Sequence, residues 1–213
     1  NANNTSQFTI FDPDRSMSRE EWKALYAQER QKAHSIDKNA KVNIIGDPYA
    51  SYKDFIYVVE ALNYRDDARA VKNTFFNRSS KTVAVNSDGI YVSGWGKLKG
   101  KASGVPAQNV TPQEVMDTYD NNEHQKVNSG FLDHKELGQY FASHSEKKAA
   151  TESKNNNQGK IGPIGISSAM CPDCQLYFRE EASASKTSLY TADPDGVHIF
   201  RPDGSTRGAA FSR

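Results

Sequence analysis

The chain has 213 residues, which suits one large domain or two small ones. Its 27 Lys and Arg nearly balance its 26 Asp and Glu, and the net charge of +1 excludes a uniformly basic nucleic-acid coat and an acidic solvating tail. No apolar run approaches the roughly 20 residues of a membrane-spanning helix, and the polar first residues do not resemble a signal segment. We therefore expect no membrane span.

The first third of the chain is predicted to be helical. Residues 18–34 open with a serine suited to cap a helix, continue with glutamates and end with basic residues. Residues 51–76 place apolar side chains such as Val58 and Leu62 at helical spacing, which predicts one or two further helices. We expect residues 1–78 to form an N-terminal helical extension of the domain that follows.

The hydrophobic period then changes from that of helices to that of strands. Residues 81–94 are two runs of β-branched residues around Ser87-Asp88-Gly89, which predicts a hairpin. A glycine-rich loop follows over residues 94–111, and Thr111 is suited to cap a short helix that begins at Pro112. The turn residues and the capping residue are local features, so they predict a hairpin and a helix but not how these two elements pack.

The last third of the chain alternates helices and strands. Residues 133–154 predict a helix broken near Ser143, residues 161–170 a short buried strand, and residues 171–183 a helix with proline in its first turn. Residues 187–204 predict two strands joined by a four-residue Asp-Pro-Asp-Gly turn, which is so short that the strands must be antiparallel. This order of elements predicts an α/β layered domain.

The only two cysteines, Cys171 and Cys174, lie three residues apart at the start of a predicted helix. Both sulfurs project from one side of that helix, and the positive helix end favours thiolates. A disulfide between them would close a very small loop and stabilise the fold little. The remaining alternatives are a redox pair, which usually follows an early strand of a small domain, and a metal site. Only 39 residues follow Cys174, so the redox pair is the less favoured of the two.

A metal site needs further ligands, and His144 is the histidine with the most informative neighbours. Glu146 follows it by two residues, in a segment that enters a predicted helix. Two cysteines and one histidine around zinc leave a fourth position open for water, as in catalytic sites. A carboxylate beside that water is what hydrolytic deamination requires. The alternative for Glu146 is a capping box with Ser143. None of the remaining histidines is assigned to metal: His34, His124, His134 and His198.

The combined pattern is His144-Ser145-Glu146, then a strand, then Cys171-Pro172-Asp173-Cys174 opening the next helix. It resembles the zinc-dependent cytidine deaminase superfamily. Over about residues 80–205 the chain is most similar to deaminase domains at the C-termini of bacterial polymorphic toxins, and more loosely similar to the plant DYW domain. Many members have proline just before the first cysteine, where this chain has Met170. In the family, the backbone carbonyls of the corresponding loop face the base, so the difference affects the expectation that the carbonyls of residues 167–170 do so here.

The resemblance implies a three-layer deaminase fold over residues 79–213, with a mixed central sheet flanked by helices and an antiparallel C-terminal strand pair. It also implies that His144, Cys171 and Cys174 hold zinc. Glu146 would move protons between water, the ring nitrogen and the leaving ammonia as cytosine becomes uracil.

The resemblance further implies a secreted or delivered toxin domain that acts in the cytoplasm of a target cell and has a cognate immunity protein as partner. Two other activities stay open within the superfamily, which are deamination of RNA and deamination of a free nucleoside. From a different class, the alternative is a non-enzymatic binding module stabilised by zinc.

A basic, aromatic segment over residues 69–101 gives a separate indication of the substrate. It carries seven Lys and Arg against one Asp, and aromatic residues lie between them. Cations that bind phosphates and an exposed ring on which a base stacks are typical of surfaces that bind single strands, so single-stranded DNA is the expected substrate. The alternative is that the rings belong to the core and the lysines form a solvated face. The residues predicted to contact nucleic acid are Tyr91, Trp95, Lys97, Lys99 and Lys101.

Overall fold

The structure is a computed structural model, and it describes residues 8–11, 42–44, 52–95, 98, 100–121 and 138–210. The helix predicted over residues 18–34 lies outside these residues. In chain order the strands are β1 (Phe8–Phe11), β2 (Val42–Ile44), β3 (Val83–Asn86), β4 (Gly89–Val92), β5 (Ile164–Ile166), β6 (Leu189–Asp193), β7 (Gly196–Phe200) and β8 (Thr206–Ala210). The α-helices are α1 (Tyr52–Phe75), α2 (Pro112–Asp117), α3 (Gln139–Ala142), α4 (Ser145–Asn156) and α5 (Pro172–Ser185), and short 3₁₀ helices span Gly100–Gly104 and Thr118–Asn121.

Six strands form one mixed sheet in the order β4-β3-β5-β6-β7-β8. Strands β5 and β6 are parallel, and every other neighbouring pair in this sheet is antiparallel. The antiparallel C-terminal pair predicted from the Asp-Pro-Asp-Gly turn is β6 with β7, which is confirmed. Strand β8 extends the sheet beyond that pair and was not predicted.

Both hairpin turns are held by the side chain that precedes them. In the β3–β4 hairpin, the side-chain oxygen of Asn86, Oδ1, accepts from the backbone amides of Asp88 and Gly89. In the β6–β7 hairpin, Asp193 accepts from the amides of Asp195 and Gly196. Such side-chain bonds to the backbone two or three residues ahead favour tight turns, and they explain why both hairpins could be predicted from local sequence.

Alternation along β3 and β4 shows that the sheet is covered on both faces. Val83 and Val85 pack with Ala68 of α1, whereas Ala84, between them, packs in a second apolar cluster. That second cluster includes Ala149 of α4 and also residues of α5. Since successive side chains of a strand point to opposite faces, α1 covers one face while α4 and α5 cover the other. The predicted three-layer α/β fold with a mixed central sheet is confirmed.

Helix α1 is one continuous helix of 24 residues that packs on β3, β5 and β6. At Gly165 of β5 the approach is so close that a Cβ atom would lie 1.8 Å from the backbone nitrogen of Arg65. Strands β1 and β2 pair in parallel as a separate two-stranded sheet, which was not predicted for the N-terminal region. The division of the chain after residue 78 stays a prediction. Within the part of the chain that the structure describes, no helix combines the length and apolarity needed to cross a membrane.

Candidate metal centre and active site

The candidate site lies where helices α4 and α5 begin. The predicted break near Ser143 is confirmed, because α3 ends at Ala142 with Ser143 as its C-cap and α4 begins at Ser145. His144 then has extended backbone angles, with φ −71° and ψ 137°, and occupies the N-cap position of α4. This abrupt turn between two helices directs His144 toward the start of α5.

Helix α5 begins in the way that its sequence predicts. Cys171 occupies the N-cap position with extended backbone angles, and Pro172 follows in the first turn, where a missing amide proton costs nothing. The Cys171 sulfur accepts from the backbone amide of Cys174 at 3.4 Å. The capping interaction therefore orients one sulfur at the helix end, and the second sulfur lies one turn further on.

The imidazole and the two sulfurs converge to within metal-binding distances of one another. His144 Nδ1 lies 3.3 Å from Cys174 Sγ and 3.5 Å from Cys171 Sγ, and all three ligand atoms lie within 4.8 Å of one another. In a tetrahedral zinc site with ordinary Zn–N and Zn–S bonds, nitrogen and sulfur are about 3.6 Å apart. Both cysteines are free thiols. The donor set and its spacing therefore fit zinc.

The environments of the two thiols shift their pKa values in opposite directions. The hydrogen bond with Cys174, helped by one with His144, lowers the pKa of the Cys171 thiol to about 4, although burial acts to raise it. Complete burial, together with the hydrogen bond to Cys171, raises the pKa of Cys174 well above its ordinary value. One thiolate is thus favoured by the protein alone, and a bound cation would favour the second, since metal ligation requires deprotonated thiols.

Charged neighbours also act on His144. Burial lowers the pKa of its imidazole, but a hydrogen bond with Cys171 and the negative charges of Glu146 and Cys171 outweigh burial and raise it. The imidazole therefore lies in an environment that attracts positive charge. A metal cation would occupy the same favourable potential as a proton on this ring.

Glu146 lies at the same site, and its carboxylate does not act as a helix cap. Its side chain is buried and lines the cavity that also contains His144 and Cys171. Helix α4 begins with His144 rather than Ser143 at the N-cap, and the Ser143 hydroxyl donates to the Tyr140 carbonyl at 2.6 Å. The capping-box alternative is therefore wrong. The Glu146 carboxylate instead accepts from the Ser145 hydroxyl at 3.3 Å and lines the cavity.

The cavity has a volume of about 350 Å³, within the usual range for small-ligand sites. One wall is formed by the start of α4 and α5, and the facing wall by residues before β3 and after β4. The lining residues are Ser80, Lys81, Thr82, Ser93, Gly94, Tyr140, Ser143, His144, Glu146, Ala169 and Cys171. A cavity of this size, with His144 and Cys171 of the ligand cluster in its wall, has the form expected of a site for a small ligand.

A larger cavity, of about 920 Å³, lies beside the start of α1 and the residue after β7. Its walls include Asp54, Tyr190 and Arg201, which bind one another. Arg201 Nη1 donates to Asp54 Oδ1 at 2.8 Å, and the Tyr190 hydroxyl donates to the same oxygen. The smaller cavity is the candidate site, because Cys171, His144 and Glu146 line it and Cys174 lies directly behind them.

Two hydrogen bonds at Met170 fix the end of the loop between β5 and α5. The backbone amide of Met170 donates to Asp193 Oδ2 at 2.9 Å, and the Met170 carbonyl accepts from Gln175 Nε2 at 3.1 Å. The same Asp193 oxygen lies 3.0 Å from His198 Nε2. Of residues 167–170, the carbonyl of Met170 is thus already bonded within the protein, whereas Ala169 lines the cavity.

The residues predicted to contact nucleic acid have different outcomes. Trp95 is 40% exposed and directly follows Gly94, which lines the cavity. The prediction for Tyr91 is wrong, because its side chain is fully buried and its hydroxyl donates to Glu152 Oε1 at 2.7 Å. Successive side chains of β4 point to opposite faces of the sheet, and the Tyr91 ring points to the face that α4 and α5 cover. Lys97 and Lys99 lie outside the described residues, as does the side chain of Lys101.

Tyr140 and Lys81 are among the cavity-lining residues that were not predicted as site residues. The Tyr140 ring lies edge-on to the His144 ring, with centroids 5.3 Å apart. Lys81 belongs to the facing wall, where its Nζ donates to the Ser93 carbonyl at 2.8 Å. Tyr140 lies four residues before His144, and in one continuous helix that spacing would place both side chains on the same helix face. Because a helix break was predicted between them, Tyr140 was not expected to contact His144.

Residues 90–150 match the model of the family described as Single-strand DNA deaminase toxin A, C-terminal. The matched segment runs from β4 into α4 and contains His144 and Glu146, while the cysteines lie beyond it. Among curated proteins, none matches the chain. The family match, together with the fold, confirms the predicted resemblance to the deaminase domains of bacterial toxins.

Proposed function

We propose that the chain is a zinc-dependent deaminase that converts cytosine to uracil in single-stranded DNA, as a domain of a delivered bacterial toxin. The observation that carries the proposal is the convergence of His144, Cys171 and Cys174 beside one cavity, whose wall includes His144, Cys171 and Glu146. The match of residues 90–150 to a single-strand DNA deaminase toxin family supports the same activity.

His144, Cys171 and Cys174 would hold the metal through Nδ1 and the two sulfurs. Within the part of the chain that the structure describes, this cluster has three protein ligands. Three protein ligands leave one tetrahedral position for solvent, whereas structural zinc sites usually have four protein ligands. Zinc in such a site activates water as a nucleophile. This count favours catalysis over the alternative of a zinc-stabilised binding module.

Glu146 would carry the protons of the reaction. Its carboxylate takes a proton from the nucleophilic water as oxygen adds to the ring carbon that bears the amine, and it delivers that proton to the adjacent ring nitrogen. A second proton, from the newly added hydroxyl, then passes through Glu146 to the amine. The carbon–nitrogen bond breaks, and ammonia leaves as uracil forms. Water and cytosine are thus converted to uracil and ammonia without another reactant.

The proposed substrate is an unpaired base of a single strand. A paired base must be extruded from the duplex at a cost of a few kcal/mol, and an unpaired base avoids most of that cost. The exposed ring of Trp95 adjoins the cavity wall at Gly94, where it could stack on a neighbouring base of a flexible strand. These features and the family match favour single-stranded DNA over the RNA and free-nucleoside alternatives.

Delivery into the cytoplasm of a target cell, and neutralisation by a cognate immunity protein, are also part of the proposal. Both rest on the match to a toxin family.

Parallel deamination assays test the proposed substrate. The zinc-loaded full chain is incubated separately with labelled single-stranded DNA, the matching duplex, single-stranded RNA of the same sequence and free cytidine. We expect uracil to form fastest in single-stranded DNA. Faster turnover of RNA or cytidine would support the corresponding alternative, and turnover of the duplex at an equal or higher rate would contradict the proposed role of the unpaired base.

A further inference from the structure

Lys147, the residue after Glu146, has an unusual environment for a lysine. Its side chain is 1% exposed, and its ammonium group forms an ion pair with Asp173, which is itself 9% exposed. The ammonium also lies 5.5 Å from the ring centres of Tyr119 and Tyr177 and 5.7 Å from that of Phe141. A cation this close to three aromatic faces is attracted by each of them.

Stability alone does not explain an ion pair that is largely removed from water. The free energy lost by desolvating two charges is often as large as the free energy gained from their attraction. An apolar side chain of similar volume could fill the same space among these rings. Neither Lys147 nor Asp173 lines the candidate cavity, so contact with substrate does not explain the pair. Its position in the two helices offers another explanation.

The pair joins the two helix ends that carry the candidate site. Lys147 lies three residues after His144 and one after Glu146, at the start of α4. Asp173 lies between Cys171 and Cys174, at the start of α5. No covalent link near the site fixes the start of one helix against the start of the other, yet the nitrogen–sulfur distances depend on that placement.

We infer that Lys147 and Asp173 are a positioning pair that holds the imidazole of α4 and the thiols of α5 at metal-binding distances. The inference rests on the proposed function, because it requires that these groups bind a metal. The three aromatic rings restrict where the ammonium can lie, and the short Asp173 side chain, which is 9% exposed, accepts a hydrogen bond from it. A shift of either helix start would separate the charges and the ligands together.

The same two helices provide a matched control. Lys154 Nζ lies 3.0 Å from Glu181 Oε2, and these side chains are 22% and 5% exposed. Lys154 follows Lys147 by seven residues and Glu181 follows Asp173 by eight, which is about two helical turns, or roughly 11 Å, from the site. This second pair therefore bridges α4 and α5 in the same way without adjoining the ligands.

The experiment compares Lys147→Met, Asp173→Asn and the control Lys154→Met in the zinc-loaded full chain. The release of zinc into excess colorimetric chelator is measured alongside the urea midpoint of unfolding, and Co²⁺-loaded samples report the thiolate-to-metal absorption band. We expect zinc release to be about tenfold faster in the two site variants, a typical effect of altering groups that orient metal ligands. Lys154→Met should lower the urea midpoint yet leave the release rate and the cobalt band unchanged.

Two outcomes would overturn the inference, and they are distinguishable. If the unsubstituted chain binds neither zinc nor Co²⁺, both the proposed metal site and the positioning pair are wrong. If it binds zinc but the site variants release it no faster than Lys154→Met does, the positioning pair alone is wrong. Should Lys147→Met fail to fold, Asp173→Asn decides, because it keeps the shape of the side chain and removes only its charge.

Discussion

At the residue scale, the carboxylate of Glu146 is the group on which the proposed chemistry depends most. We expect Glu146→Gln to lower deamination by at least about 100-fold, because the amide keeps the shape but cannot carry a proton. Zinc content should not change. The rate of uracil formation in single-stranded DNA and the metal content of the same preparation check both points.

Glu152→Gln is the matched control for this substitution. Glu152 lies on the same helix, and its carboxylate accepts from the buried Tyr91 hydroxyl rather than lining the cavity. The control should keep a rate within a few-fold of the unsubstituted chain. Full activity of Glu146→Gln would show that Glu146 has no role in proton transfer.

The exposed ring of Trp95 supports a second prediction at this scale. Trp95→Ala should weaken oligonucleotide deamination through the loss of a base stack worth roughly 1–3 kcal/mol, seen mainly as a higher KM. Phe75→Ala is the control, since Phe75 is 42% exposed in the same basic segment but lies at the end of α1. Equal effects of the two substitutions on KM would mean that Trp95 does not contact the strand.

At the element scale, Asp193 links the end of β6 to the loop that carries Cys171. It is 1% exposed and accepts from the amides of Met170, Asp195 and Gly196. Burial acts to raise its pKa, but the hydrogen bond from His198 and those from the amides outweigh burial and lower it. Because the folded-state pKa lies below that of the unfolded chain, this stabilisation is present above about pH 4 and is lost as the pH falls further.

Asp193→Ala should therefore lower the free energy of unfolding at pH 7 by about 2–4 kcal/mol, because three amides, two of them in buried hydrogen bonds, lose their acceptor. The difference from the unsubstituted chain should shrink as the pH falls below 4. Urea unfolding at several pH values measures both effects. Asp203→Asn, in a fully exposed turn, is the control and should change stability little. A pH-independent difference would contradict the assigned role of the ionised carboxylate.

The packing of α1 on β5 gives a further test at this scale. Gly165→Ala should destabilise the fold by about 3 kcal/mol or more, because the added carbon meets the backbone of α1 at Arg65 and neither backbone can easily move. In Gly162→Ala the nearest atom is the Ser153 hydroxyl oxygen at 3.8 Å, so that control should be nearly neutral. Thermal unfolding compares the two, and similar midpoints would contradict the close packing of α1.

The elements that could be predicted from sequence have strong local signals. The β3–β4 hairpin has its Ser-Asp-Gly turn, helix α2 has the capping box of Thr111 and Glu114, and α5 has Pro172 in its first turn. Strand β8 has no comparable signal, because Thr206–Ala210 shows no alternation and is defined by pairing with β7.

The site residues that could be predicted are those whose types and spacing are typical of one kind of chemistry. His144, Glu146 and the cysteines could be singled out from sequence, and the structure brings them together. Tyr91 was misassigned because alternation shows that a side chain faces one side of a strand but not which layer covers that side. Lys147 was missed because a lysine among charged helix residues predicts a solvated face, and only the three aromatic rings around it explain its burial.

At the scale of the whole molecule, the sheet places two helix ends side by side, and the candidate site is the product of that arrangement. Helix α4 supplies His144 and Glu146, and α5 supplies both cysteines, while the hairpin of β3 and β4 leads into the facing wall of the cavity. The central claim is that this arrangement holds one zinc with one coordination position open to solvent.

X-ray absorption at the zinc edge, on the purified and quantified chain, tests that claim most directly. The predicted result is about one zinc per chain, with two sulfurs at about 2.3 Å and two nitrogen or oxygen neighbours at about 2.0–2.1 Å, of which one is the His144 nitrogen and the other is water. Absence of zinc, with Cys171 and Cys174 joined by a disulfide in protein purified from a reducing cytosol, would contradict the account. So would a first coordination sphere with only one sulfur or with a fourth protein ligand in the place of water.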